Sequence, residues 1–159
     1  MTYAFDTNIY QVWRNLNDPS VQRIMNHPSI QTVTRCFLDV EDGDPLVIPR
    51  IILTEHLVWI AKTEGFDVAM EVLDTVHDSV WNVIYEDEQL HKLAIEIGSR
   101  YGGMGAADLL LAAVAKQEGA TIVTMDSDFK KIKPGNRCYC IGIDSRSNSG
   151  SSRVTAPVY

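Results

Sequence analysis

Short, almost unbroken apolar runs alternate along this chain with longer stretches in which apolar residues recur every three or four positions. The first pattern suits buried strands, and the second suits helices with one face in a core. Tyr3 to Phe5 predicts a first strand ending at Asp6, and Asp6-Thr7-Asn8 can cap a helix carrying Ile9, Tyr10, Val12 and Trp13. Asn17-Asp18-Pro19-Ser20 breaks that helix. A second helical stretch is expected over 21–25, and Pro28-Ser29 opens a third that runs to Val40. The turn cluster from Glu41 to Pro45 leads to a short strand over 46–48. Pro49 suits the first position of a helix reaching about residue 64 and closed by Gly65. An amphipathic helix follows over 66–76, then a strand over 80–85 and a helix over 86–100. Tyr101-Gly102-Gly103-Met104-Gly105 is a flexible break. Beyond it come a helix over 106–118, a strand over 121–125 and a last strand over 139–143.

Strands that alternate with helices and are apolar throughout imply an α/β fold whose parallel sheet is covered on both faces. A length of 159 residues suits one domain with a real core, expected over 1–144. Residues 145–159 form a serine-rich tail without apolar anchors, expected to be mobile. Hydrophobic residues at 45% and charged residues at 22% exclude an intrinsically disordered chain. No apolar run is long enough to cross a membrane, and MTYAFDTNIY lacks the basic start and apolar centre of a signal peptide. The expected location is therefore the cytoplasm. Cys36, Cys138 and Cys140 form neither a disulfide framework nor a zinc spacing. His27, His56, His77 and His91 show no metal spacing either, and each is expected at the surface or half-buried. No Gly-x-Ser-x-Gly, P-loop or dinucleotide glycine pattern occurs, which weighs against acyl transfer and nucleotide-fold chemistry.

The net charge of −7 makes the chain a poor general nucleic-acid binder, but the charge is uneven. Residues 51–100 hold 3 basic and 10 acidic side chains, whereas residues 101–159 hold 7 basic and 5 acidic ones. Lys130, Lys131, Lys133 and Arg137 follow closely on Asp126, and a basic edge beside carboxylates suits a phosphodiester. A solvated loop is the plainer reading of that run.

Four acids stand out. Asp6 and Asp126 each end a strand, where open α/β sheets bind their ligands, although an N-cap or an Asx turn accounts for either one singly. Asp108 opens the helix ADLLLAAVA, where a dipole role would also satisfy it. Glu55 is harder to place structurally. Its helical neighbours Ile51, Ile52, Val58 and Trp59 are all apolar, which predicts a carboxylate on a core-facing stripe. Clustered carboxylates without a cationic partner repel one another, and a divalent metal is the simplest remedy. Asp128 is divided between a fifth acid and a turn residue.

The motifs Asp6-Thr7-Asn8, IPRIILTEHLVWI around Glu55, AADLLLAAVA around Asp108 and TMDSDF around Asp126 together resemble the PIN-domain nucleases, and among them the VapC-like toxins of toxin–antitoxin pairs. The resemblance runs over nearly the whole chain to about Ile143; the stretch from Asn15 to Asp44 and the serine-rich tail exceed the compact toxins. It implies a PIN-like three-layer α/β/α sandwich with a central parallel sheet. It also implies a ribonuclease site of Asp6, Glu55, Asp108 and Asp126 holding one or two Mg²⁺ or Mn²⁺ ions. Asn8 and Thr124 would orient those acids by hydrogen bonds, with Asp128 assisting through a water. RNA would be the substrate, a small antitoxin protein the partner and a homodimer the assembly. A non-toxin RNA-processing nuclease and a catalytically silent PIN-like module that binds RNA or protein are the alternatives. A phosphatase or receiver-like α/β protein also clusters aspartates at strand ends, but it leaves Glu55 unexplained.

Overall fold

The computed structural model describes residues 1–16, 28–79, 81–132 and 138–140. Five strands form one parallel sheet: β1 (Tyr3–Phe5), β2 (Leu46–Pro49), β3 (Asn82–Ile84), β4 (Thr121–Thr124) and β5 (Cys138–Cys140), in the spatial order β3-β2-β1-β4-β5. Every residue of β1, β2 and β4 is buried, as their continuous apolar runs require of strands covered on both faces. The half-exposed β3 forms one edge, which lets it tolerate a polar Asn82.

Six α-helices are present among the described residues: α1 (Thr7–Arg14), α2 (Pro28–Glu41), α3 (Arg50–Thr63), α4 (Phe66–Asp78), α5 (Glu88–Arg100) and α6 (Ala106–Glu118). The chain steps outward from β1 to β2 to β3, then crosses back over β1 to β4. Right-handed crossovers therefore put α1 to α4 on one face and α5 with α6 on the other. The result is the expected α/β/α sandwich. Helix α6 lies across β1, β2 and β4, with Leu110 to Ala115 all buried. It ends on Gly119, whose φ of 62° is the left-handed conformation that glycine adopts without steric cost.

On the other face an aromatic cluster fixes α1 to the sheet. Phe5 meets Phe37 edge-on at 5.3 Å, and Trp13 stacks on Phe37 at 4.6 Å. This packing sets where α1 begins, and therefore where Asp6 and its neighbours stand.

Most predicted elements occur within a residue or two of their expected bounds. Pro49 closes β2 and stands at the N-cap of α3 instead of its first turn. The strand expected over 80–85 is shorter, and the helix expected from 86 starts at Glu88 because Glu86 accepts from Ile51 N–H and Asp87 caps the helix. His56 is buried, contrary to the expectation of an exposed or half-buried side chain; it packs at 5.2 Å from the Tyr10 ring, and burial pushes its pKa down to about 4. The helix expected over 21–25, residues 141–143 of the last strand and the serine-rich tail lie outside the described residues.

Candidate active site

The order β3-β2-β1-β4-β5 reverses direction between β1 and β4, and the crevice beyond the carboxyl ends at such a reversal is where open α/β sheets bind ligands. Asp6 directly follows β1, and its backbone N–H bonds to the Val123 carbonyl of β4. Asp6 is only 6% exposed, so its carboxylate needs donors. Three are supplied. Thr7 N–H gives 2.7 Å to Oδ1, while Asn8 Nδ2 and Thr124 Oγ1 each give 2.6 Å to Oδ2. The N-cap and the site are thus the same group.

Thr124, fully buried, joins the two strand ends. Its hydroxyl donates to Asp6 and accepts from the Asp126 N–H at 2.9 Å, and Asn8 Oδ1 accepts from the Met125 N–H at 3.2 Å. Asn8 and Thr124 hold the β4 turn against α1. Asp126 in turn caps the short 3₁₀ helix Ser127–Lys131, its Oδ1 accepting from Asp128 N–H at 2.8 Å.

Glu55 departs from its sequence expectation. It is exposed, not aligned with a core-facing stripe, because α3 turns Ile52, Leu53 and His56 inward instead. Its Oε2 accepts from Thr7 Oγ1 at 2.8 Å, which carries it across from α3 to the Asp6 turn. Asp108 reaches back to the Gly105 N–H at 3.0 Å, and a Cβ on Gly105 would stand 3.2 Å from its Oδ2. The glycine before the helix lets this acid fold close to the backbone.

The four acids are electrostatically joined. The Asp108 pKa is raised chiefly by burial, against the Gly105 hydrogen bond, and the charges of Asp6, Asp126 and Glu55 raise it further. The Asp6 pKa is also raised, chiefly by burial; the Thr124, Thr7 and Asn8 donors oppose the rise and the Asp126 charge adds to it. Among the described residues no Lys, Arg or His forms an ion pair with any of the four. Each acid also retains acceptor capacity beyond its hydrogen bonds, which suits a hard divalent cation. Even so, no three such groups among the described residues stand close enough to chelate an ion together. The acids therefore influence one another's charge without forming a ready-made chelate.

Asp128 is paired with Lys131 Nζ at 2.7 Å and not with the quartet. Lys130 and Lys131 are exposed beside the site; Lys133 and Arg137 lie outside the described residues. Thr7 links two of the candidate acids, its N–H bonding Asp6 and its hydroxyl Glu55. Its place between Asp6 and Asn8 was visible in the sequence, but nothing there placed its hydroxyl opposite α3. A cavity of about 330 Å³, walled by Tyr10, Trp13, His56 and Trp81 among others, contains none of the acids.

The family profile described as PIN domain matches residues 31–134, and the chain belongs to the PIN-domain family. That span contains Glu55, Asp108 and Asp126; Asp6 precedes it. The fold is similar to VapBC2 from Rickettsia felis bound to a promoter DNA fragment, with a TM-score of 0.60 at 22% identity over 87% of this chain and 97% of that one. It is likewise similar to VapC20 of Mycobacterium tuberculosis, a sarcin–ricin loop cleaving toxin, with a TM-score of 0.60 at 16% identity over 82% and 93%. FitAcB from Neisseria gonorrhoeae gives 0.56 at 20% identity over 82% and 92%. No curated protein matches the chain by sequence.

Proposed function

We propose that the chain is a divalent-metal-dependent endoribonuclease, hydrolysing RNA phosphodiester bonds at Asp6, Glu55, Asp108 and Asp126, and that it is the toxin of a toxin–antitoxin pair. The observation that carries this reading is the placement of Asp6 and Asp126 at the two strand ends of the switch point, joined through Thr124, with Glu55 bonded to Thr7 and no ion pair to any of these acids among the described residues. A Mg²⁺ or Mn²⁺ ion held there would supply positive charge against the phosphate and acidify a water for in-line attack. The chain's own part is positioning. Thr7, Asn8 and Thr124 lock Asp6, Thr7 also steadies Glu55, and Gly105 N–H holds Asp108. Lys130 and Lys131 offer the incoming backbone a local positive edge on an otherwise acidic protein.

The toxin reading is supported by the likeness to VapC20 and to the VapBC and Fit complexes, and with it comes a small antitoxin partner and a homodimer. No helix among the described residues is long and apolar enough to cross a membrane, in keeping with action on cytoplasmic RNA.

A second reading, a module that holds RNA without cutting it, draws on the open spacing of the acids. Purified protein incubated with an RNA panel in Mn²⁺ or Mg²⁺ separates the two. Cleavage by the native chain, abolished by chelator and by Asp108→Asn, is expected. Cleavage that survives Asp108→Asn would sink the site assignment, and binding without cleavage would establish the silent module. Growth arrest on expression, relieved by the product of a neighbouring gene, distinguishes a toxin from an RNA-processing nuclease.

A further inference from the structure

One conspicuous feature of the carboxyl edge plays no part in holding the acids. Arg50 directly follows β2 and Tyr85 directly follows β3, and Pro49 pairs with Ile84 in the sheet, so the two residues emerge side by side. The Arg50 guanidinium sits over the Tyr85 ring at 5.1 Å from its centroid. Tyr85 is nonetheless 58% exposed, a large aromatic surface left in water with one face already backed by a cation. The arrangement is braced. Glu86, next in the chain, accepts from the Ile51 N–H at 2.8 Å, placing a carboxylate at the positive end of α3. Asp87 then caps α5 through the Leu90 N–H at 2.9 Å. The chain on both sides of Tyr85 is thereby tied to a strand or a helix start.

The position relative to the acids follows from the topology. Parallel strands lie about 4.8 Å apart, so the end of β3 stands about 10 Å along the carboxyl edge from the end of β1 and Asp6. Lys130 and Lys131, beyond β4, lie on the opposite side of Asp6. A strand laid along this edge meets an aromatic–guanidinium pair first, the carboxylates next and the lysines last. Exposed aromatic faces bind unpaired bases irrespective of sequence, and a stacked guanidinium adds a phosphate contact. A base already stacked within a duplex has no free face to offer.

We propose that Tyr85 and Arg50 form a stacking platform for one unpaired base of single-stranded RNA, with Arg50 on the adjoining phosphate, which holds the strand across the acid rim. This rests on the ribonuclease reading above, and the test keeps the two separable. Asp108→Asn is used as the parent, so that RNA is bound without being cut, and binding of a labelled, random-sequence pool of short single-stranded oligoribonucleotides is followed by fluorescence anisotropy. In that background Tyr85→Ala is expected to weaken binding about tenfold, while Tyr85→Phe binds as the parent does. Arg50→Ala is expected to lower the dependence of log affinity on log salt by about 0.7. Binding of a blunt RNA duplex is expected to be unaffected by Tyr85→Ala. A parent that binds no RNA overturns the ribonuclease reading itself. A parent that binds, with Tyr85→Ala binding equally well, overturns the platform alone. Tyr85→Phe failing as badly as Tyr85→Ala, or duplex binding falling in parallel, overturns base stacking, and an unchanged salt dependence in Arg50→Ala removes the phosphate contact.

Discussion

Replacing Thr124 by valine tests the idea that one hydroxyl ties the two central strand ends together. The side chains are nearly the same shape, and Thr124 is fully buried, so the change removes polarity with little change of volume. Two hydrogen bonds go with it: the 2.6 Å donation to Asp6 Oδ2 and the 2.9 Å acceptance from Asp126 N–H. A bond to a charged carboxylate contributes about 1.5–3 kcal/mol, and an abandoned buried N–H costs about 1–3 kcal/mol. Asp126 is only half-buried, so the lower end applies to its N–H, and the total is about 3 kcal/mol. Thr124→Ser keeps both bonds and loses one methyl group, about 1 kcal/mol. With a urea m-value of about 2 kcal/mol per molar, valine lowers the unfolding midpoint by about 1.5 M and serine by about 0.5 M.

The effect carries a sign in pH. The Asp6 pKa is already raised by burial, and the Thr124 hydroxyl is the foremost influence opposing that rise. Losing it raises the folded value further. A carboxyl group titrating higher in the folded than in the unfolded state costs stability that grows as pH climbs from the unfolded value to the folded one and then levels off. The valine penalty should therefore be full near pH 7 and shrink toward pH 4, where a neutral carboxyl group needs the donor less. Equal midpoints for valine and serine at neutral pH, or a gap that ignores pH, would refute the role given to this hydroxyl.

Three further outcomes are expected. Leu111→Ala, at a fully buried position on α6, should lower stability by about 2–5 kcal/mol in urea unfolding; a loss under 1 kcal/mol would mean that α6 is not the central packing helix. Gly119→Ala should cost about 1 kcal/mol at the left-handed turn that leads into β4, measurable as a lowered melting temperature, and an unchanged value would contradict the backbone conformation. Because the folded Asp6 and Asp108 both titrate above the ordinary 3.8, the metal-free protein should lose stability as pH rises through the window above that value; Asp108→Asn should flatten the fall, and an identical slope in the variant would deny that the folded protein raises the Asp108 pKa.

The sequence revealed most of the fold because its local and global signals agree. The buried strands are apolar from end to end, the helices carry their stripes, and Gly119 and Asp87 stand where caps are needed. What escaped depended on tertiary neighbours. Nothing in the chain around His56 announces that Tyr10 will pack against it. The later start of α5 goes with Glu86 being drawn to the start of α3, a partner 35 residues away.

Glu55 was singled out for a reason the structure overturns. Apolar neighbours at three and four residues predicted a carboxylate stranded in the core; yet Val58 is exposed and Trp59 and Ile51 are only half-buried, so that flank of α3 borders solvent. The association with Asp6 comes instead through Thr7. The same distinction applies to the other acids. Asp6, Asp108 and Asp126 each perform the plain structural task that would account for them singly: an N-cap, a return bond to a helix start and a 3₁₀ cap. Those tasks do not compete with a site, because each occupies only part of a carboxylate and fixes where the rest points. Helix starts and strand ends meet at the carboxyl edge of a parallel sheet, so residues that cap helices there are delivered to one place. The caps gather the negative charge, while the raised pKa values of Asp6 and Asp108 come chiefly from burial, with the neighbouring acids adding to the rise.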